Sequence, residues 1–186
     1  ASQSERLSAL NNIFDIYYPS FMACEIYSKL YLAYIRALNK KNNTVAIRQY
    51  YENKNGIANK SYQGIIGGSD SFTIIGSSGI GKSSAISRAI SVISKDSILF
   101  INSTKIIPFL IVQTPCDSSL KGLLLEILRS IDSILGTKYY QDAMRVRATL
   151  DMLIGSVSQV CLNHVCVLII DEAQNVVTAK NGKNLV

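Results

Sequence analysis

No apolar run in this sequence reaches 18 residues, so no membrane-spanning helix is expected. No secretory signal is visible either. The chain opens Ala1-Ser2-Gln3 without methionine, as a trimmed or tagged chain would, rather than with a targeting segment. No two cysteines stand at CxxC spacing. Of the four present, Cys24, Cys116, Cys161 and Cys166, three fall in apolar segments. They read as buried, reduced thiols of a cytoplasmic protein. His164 is the only histidine and has no neighbour at ligand spacing, so zinc binding is not expected. There is no internal repeat and no low-complexity tract. What is left is 186 residues of 48% hydrophobic content, enough for one core, and the expected count is one domain with an N-terminal extension.

The net charge of +6 is unevenly placed. Residues 36–60 carry Arg36, Lys40, Lys41, Arg48, Lys54 and Lys60 against Glu52 alone, a local charge of +5 that leaves +1 for the remainder. Tyr50, Tyr51 and Tyr62 lie in or beside that stretch. Such a segment can bind nucleic acid by phosphate neutralisation and stacking. It can equally be a solvated connector, and composition fits both.

Periodicity gives a coarse map. Residues 4–16 read as a short helix or partly ordered arm, interrupted by Pro19. Residues 20–38 place Tyr27, Leu30, Tyr31, Tyr34, Ile35 and Leu38 at helical spacing, a packing stripe. Residues 39–63 read as a polar loop. Ile98-Leu99-Phe100 reads as a short strand. Pro108 precedes the strand Phe109-Leu110-Ile111-Val112, which Pro115 closes. Ser118 or Ser119 can cap a helix with the stripe Leu120, Leu123, Leu124, Ile127, Leu128, Ile131, Ile134 and Leu135, stopped by Gly136. A further helix is expected from about 141 to 162, carrying Val146, Leu150, Leu153, Ile154 and Val157.

Two motifs carry the chemistry. Gly76-Ser77-Ser78-Gly79-Ile80-Gly81-Lys82-Ser83 is a glycine, four residues, then Gly-Lys-Ser, the phosphate-loop pattern, with Ser84 following. Phe72-Thr73-Ile74-Ile75 ahead of it reads as a short buried strand. The residues after it, 83–94, read as a helix with Ile86, Ile90 and Ile93 on one face. Strand, glycine loop and helix start give backbone N–H groups that curl round a phosphate. Lys82 supplies a mobile cation for terminal phosphates, and the Ser83 hydroxyl is placed to ligate Mg²⁺. A glycine-serine loop that contains lysine by chance is the alternative. The second motif argues against it. Val167-Leu168-Ile169-Ile170-Asp171-Glu172 reads as a strand buried on both faces of a parallel sheet, ending in two carboxylates where open α/β sheets bind ligands. It lies 89 residues after Lys82, with room for a strand and two helices between. Asp171 is the expected metal ligand, and Glu172 the group that polarises the attacking water. ATP and Mg²⁺ are the expected cofactors, and ATP hydrolysis the expected reaction.

A strand between the two motifs, and Glu directly after Asp, point to P-loop ATPases with an added central strand, the AAA+ class. Within it the residues resemble a particular family. The stretches that carry the resemblance are Phe72 to Ser84, then Val112-Gln113-Thr114-Pro115-Cys116-Asp117-Ser118-Ser119-Leu120-Lys121-Gly122-Leu123, then Leu135-Gly136-Thr137-Lys138-Tyr139-Tyr140, and Arg147 ahead of Leu168-Ile169-Ile170-Asp171-Glu172-Ala173-Gln174. Together they look like TnsC, the AAA+ regulator of cut-and-paste DNA transposition, with TniB, IstB and MuB as looser relatives. The resemblance covers roughly residues 31–180.

It implies an α/β P-loop NTPase of AAA+ type, a parallel sheet flanked by helices. Residues 1–63 would be an N-terminal helical extension and basic connector, and 64–186 the nucleotide-binding core. It implies a protein that binds ATP, forms a homo-oligomer (a ring or filament) on double-stranded target DNA, and recruits transposase to a site chosen by a separate targeting protein. DNA contacts would come from Ser118, Ser119 and Lys121 at one end of a helix and Thr137 and Lys138 at the other. For the serines an ordinary helix cap is the alternative, and for the lysines a solvated charge. The chain stops at Val186, before the sensor strand, arginine finger and lid that AAA+ proteins carry. On this resemblance it would be C-terminally truncated, or one piece of a split molecule, and turn over slowly. A helicase-loading or replication ATPase shares both motifs. A signalling or defence NTPase scaffold without DNA is the alternative of another class.

Overall fold

A computed structural model of the chain describes residues 2–11, 17–42, 70–101, 103–115 and 119–178. Ser118, Cys116 and the connector over 43–63 lie outside the described residues. In chain order the elements are helices α1 (Gln3–Asn11), α2 (Phe21–Asn42) and α3 (Lys82–Ile93), strands β1 (Leu99–Ile101) and β2 (Thr104–Gln113), helices α4 (Leu120–Leu135), α5 (Tyr139–Arg145) and α6 (Leu150–His164), strand β3 (Val165–Asp171) and helix α7 (Gln174–Thr178).

The sheet has the order β1-β2-β3. β2 and β3 run parallel, with Phe109 opposite Val167 and Gln113 opposite Asp171. β1 and β2 form an antiparallel hairpin, so the sheet is mixed rather than wholly parallel. Alternation along the strands feeds two hydrophobic clusters. Leu110 and Val112 face α4 and α6, where Leu128, Ile131 and Leu153 are the most buried side chains. Burial of each contributes about 2 kcal/mol. Phe109, Val167 and Ile169 face the opposite way, against Ala23, Ile26 and Leu30 of α2 and Ala85 and Ala89 of α3.

Helix boundaries follow local chemistry. The Ser20 hydroxyl, just after Pro19, accepts a hydrogen bond from the Ala23 amide at 3.2 Å and starts α2. That helix continues to Asn42, so residues 39–42 are helical and not part of a loop. Its buried face is Ala23, Ile26, Leu30 and Tyr34, whereas Tyr27 and Tyr31 from the expected stripe face outward. Ser119 caps α4 by accepting from the Gly122 amide at 2.9 Å, and Gly136 ends it at φ +73°.

Four further expectations need correction. Residues 72–75 form no ladder: Phe72 and Ile74 pack on the α2–α3 cluster, but Ile75 is 91% exposed. An apolar segment becomes a strand only beside a partner edge, and among the described residues none pairs with it. Among the described residues β3 pairs with β2 alone; Leu168 packs on one cluster and Val167 and Ile169 on the other, but Ile170 is 39% exposed, so burial on both faces does not reach the strand's end. Pro108 lies inside β2, not ahead of it. It falls where pairing with β1 has ended, and the paired positions with β3 are Ile107 and then Phe109 to Gln113. A residue without an N–H is tolerated at such a gap. The helix expected over 141–162 is two helices. Arg147 adopts φ +48° and closes α5, and the Thr149 hydroxyl caps α6 by accepting from the Met152 amide at 3.4 Å. Val146 is consequently 65% exposed.

Candidate nucleotide site

The phosphate loop meets the start of α3. Gly79 and Gly81 take φ of +80° and +90°, a region a β-carbon makes costly. Gly81 is the N-cap of α3 and offers no side-chain cap. The first-turn amides therefore keep their capacity for an anion, aligned with the positive end of the helix. Ser77, Ser78, Ile80, Ser83 and Ser84 are all exposed on this surface. The Lys82 ammonium folds back and donates to the carbonyls of Gly76 and Ser77, each at 2.8 Å. It thus lies over the loop, held by neutral acceptors that a phosphate would outcompete.

β3 delivers the acidic half. Its last residue, Asp171, comes beside the loop, and the Ser83 hydroxyl donates to Asp171 Oδ2 at 3.3 Å. Two oxygen donors at that separation suit adjacent positions on a hard cation such as Mg²⁺, whose octahedral ligands at about 2.1 Å stand about 3 Å apart. The donor set fits the metal: Ser83 and Asp171 would hold it, and it would supply charge neutralisation for phosphate oxygens. The chain direction at Asp171 is fixed by Thr114, the last buried polar side chain beyond β2. Its amide and its hydroxyl both donate to the Asp171 carbonyl, at 3.1 and 2.9 Å. Asp171 Oδ1 accepts from the Glu172 amide at 2.9 Å. Glu172 takes φ +55°, is exposed, and its carboxylate accepts a hydrogen bond from the Gln174 side-chain amide.

The residues expected to face DNA fall at opposite ends of α4. Ser119 and exposed Lys121 lie at its start, on the nucleotide edge of the sheet. Thr137 and exposed Lys138 follow its end. The Thr137 hydroxyl is committed to Asp132 Oδ1 at 2.5 Å. The same carboxylate accepts from the amides of Tyr139 and Tyr140 at 3.0 and 2.8 Å. His164 Nδ1 donates to the Lys105 carbonyl at 2.9 Å, and its Nε2 shares a hydrogen bond of 3.1 Å with the Tyr139 hydroxyl. The turn is thereby tied to the start of β2.

Part of the basic stretch is also used internally. Arg36 pairs with Asp70 at 3.0 Å, and Lys41 donates to the Leu162 carbonyl in the last turn of α6 at 2.6 Å. Burial lowers the Lys41 pKa and raises those of its neighbours Cys161, to about 11, and Cys166.

Thr114, Asp132 and Gln174 have site roles that the sequence reading did not assign. A threonine closing a buried strand was a weak signal for the first, and Gln174 stood in the quoted motif without a role. Nothing local marked Asp132.

A family model described as an AAA domain matches residues 66–186. The chain belongs to the AAA domain family. This is an AAA+ ATPase family, which carries with it a P-loop NTPase fold, nucleotide binding and a general NTPase function. The match is to the domain and not to one subfamily. No curated protein matches the chain. Among the described residues no helix is long and apolar enough to cross a membrane, and no group of three or more His, Cys, Asp or Glu could hold a metal.

Proposed function

We propose that this AAA-family chain is an ATP-dependent regulator of DNA transposition. It binds ATP with Mg²⁺, assembles into a homo-oligomer on target duplex DNA, and brings transposase to a site chosen by a separate targeting protein. The observation that carries the ATPase half is the meeting of Ser83 and Asp171 at 3.3 Å beside a phosphate loop whose helix has no side-chain cap. Glu172, next along, is the base for the attacking water. The transposition half is supported by the resemblance of residues 112–123 and 135–140 to TnsC. A cytoplasmic setting agrees with the free thiols of Cys24, Cys161 and Cys166.

In this reading Lys121 and Lys138 make the phosphate contacts, and Ser118, Ser119 and Thr137 shape the two loops that present them. Binding is then salt-sensitive and indifferent to sequence. The test is duplex binding over a salt series, using random-sequence DNA and fluorescence anisotropy. Replacing Lys121 and Lys138 together by Ala should weaken binding on all sequences alike and reduce the slope of log K against log salt by about two. ATP affinity should not change. The control neutralises Lys40 and Lys54 and spares Lys41, which holds the end of α6. If the control loses DNA while the Lys121/Lys138 variant keeps the wild-type slope, the basic stretch over 36–60 is the DNA element and the loop assignment is wrong.

A further inference from the structure

The geometry points to Gln174 as the positioning residue that aims the Glu172 carboxylate. The inference rests on the ATPase reading above and adds a residue to it.

Glu172 is poorly restrained by packing. It is exposed, and its backbone is in the left-handed region at φ +55°, so the residue leaves the sheet at an angle that neighbouring strands do not enforce. A glutamate in that setting has three side-chain torsions to fix, and freezing a long side chain costs roughly 1–2 kcal/mol. Among the described residues, the carboxylate has one hydrogen-bond partner, the Gln174 amide, on Oε2. Gln174 is itself held. It opens α7, the Asn175 amide donates to the Glu172 carbonyl at 3.0 Å, and the Val176 amide donates to the Ala173 carbonyl at 3.2 Å. Val176 is buried in the larger core cluster and anchors that turn.

The chemistry of the donor matters as much as its position. A general base must be aimed yet keep its negative charge. A neutral amide does both: it fixes one oxygen and leaves Oε1 for a water. An arginine or lysine in its place would aim the carboxylate equally well, but it would weaken it as a base. Gln174 touches neither nucleotide nor water in this proposal, and acts through Glu172 alone.

The experiment uses the whole 186-residue chain, with single-turnover hydrolysis of radiolabelled ATP and calorimetric ATP affinity. Gln174→Met keeps the length and removes the donor. Its single-turnover rate constant should fall about tenfold, a fraction of what a general base supplies, with ATP affinity within twofold of wild type. Gln174→Lys should fall at least as far, again with affinity kept. Glu172→Gln, run in parallel, reads the reaction itself. If Glu172→Gln turns over no more slowly than wild type, Glu172 is not the base, and both readings fall. If Glu172→Gln is slow but Gln174→Met stays within twofold of wild type, or loses affinity and rate together, the positioning role alone is overturned.

Discussion

Gly81-Lys82-Ser83 and Gly136-Thr137-Lys138 are alike in composition: a glycine, a lysine and a hydroxyl within three residues. In both, the glycine has positive φ, +90° at Gly81 and +73° at Gly136. Their surroundings are opposite. Gly81 opens a helix, so the local backbone presents N–H groups and the positive end of a dipole. Gly136 closes one, so the backbone presents carbonyls. The amides of the next short helix could in principle offer an anion site. They are already taken, because Asp132 accepts from Tyr139, Tyr140 and the Thr137 hydroxyl at once. One loop has no carboxylate of its own and no side-chain cap on its helix, so its first-turn amides stay open to an anion. The other carries its own carboxylate and is a finished structural turn that leaves a lysine on its surface. Glycine with lysine therefore predicts a phosphate site only when the helix direction is known.

The largest effect that can break this contrast is at Lys82. Lys82→Ala should weaken ATP binding by roughly 2–5 kcal/mol, the cost of truncating one member of a desolvated charge pair. Calorimetry reads it, and equal affinities in variant and wild type would remove the phosphate-loop assignment. Asp132→Ala is the matching change at the other loop. It strips three hydrogen bonds from one carboxylate and should destabilise the fold by roughly 2–4 kcal/mol in urea unfolding. ATP affinity of the folded protein should stay at the wild-type level. If Asp132→Ala costs less than about 0.5 kcal/mol, or creates an ATP defect, the two loops are not the separate devices described.

These two loops also mark how far sequence carries the reading. The phosphate loop, the Ser119 cap, the Gly136 stop and the Asp171-Glu172 strand end were legible because their signals are local, a few residues of fixed spacing. What escaped was decided at a distance. Residues 72–75 have the composition of a strand, yet no described strand lies beside them to complete a ladder. In α2 the spacing of Tyr27 and Tyr31 suits a buried stripe, but the small Ala23 lets α2 close on α3, and the tyrosines face outward. Asp132 and Gln174 read as ordinary polar helix residues until the fold shows which groups they meet. The break at 146–149 was hidden for another reason: the residue that turns the chain is an arginine, where a glycine would have announced it.

That arginine gives the smallest and cleanest comparison. Gly136 and Arg147 each follow the end of a helix, and each is left-handed, at φ +73° and +48°. The Gly136 amide donates to the Asp132 carbonyl at 2.8 Å. At the other helix end, the Arg147 amide donates to Met144 and the Ala148 amide to Ala143, both at 3.2 Å. Glycine adopts this conformation freely, whereas a β-carbon crowds the following carbonyl. A β-carbon built at Gly136 meets nothing within 4 Å, so Gly136→Ala isolates the backbone term and should destabilise by about 1 kcal/mol. Arg147→Gly is the reverse experiment. It should stabilise by up to about 1 kcal/mol, offset in part by the extra freedom glycine gives the unfolded chain. The Arg147 side chain is exposed and makes no ion pair among the described residues, so little else is lost. Urea unfolding of the two variants should therefore move in opposite directions. If Arg147→Gly destabilises instead, the arginine side chain is bound to the fold by a contact worth more than its backbone strain, and the left-handed turn is held from outside rather than by its own hydrogen bonds.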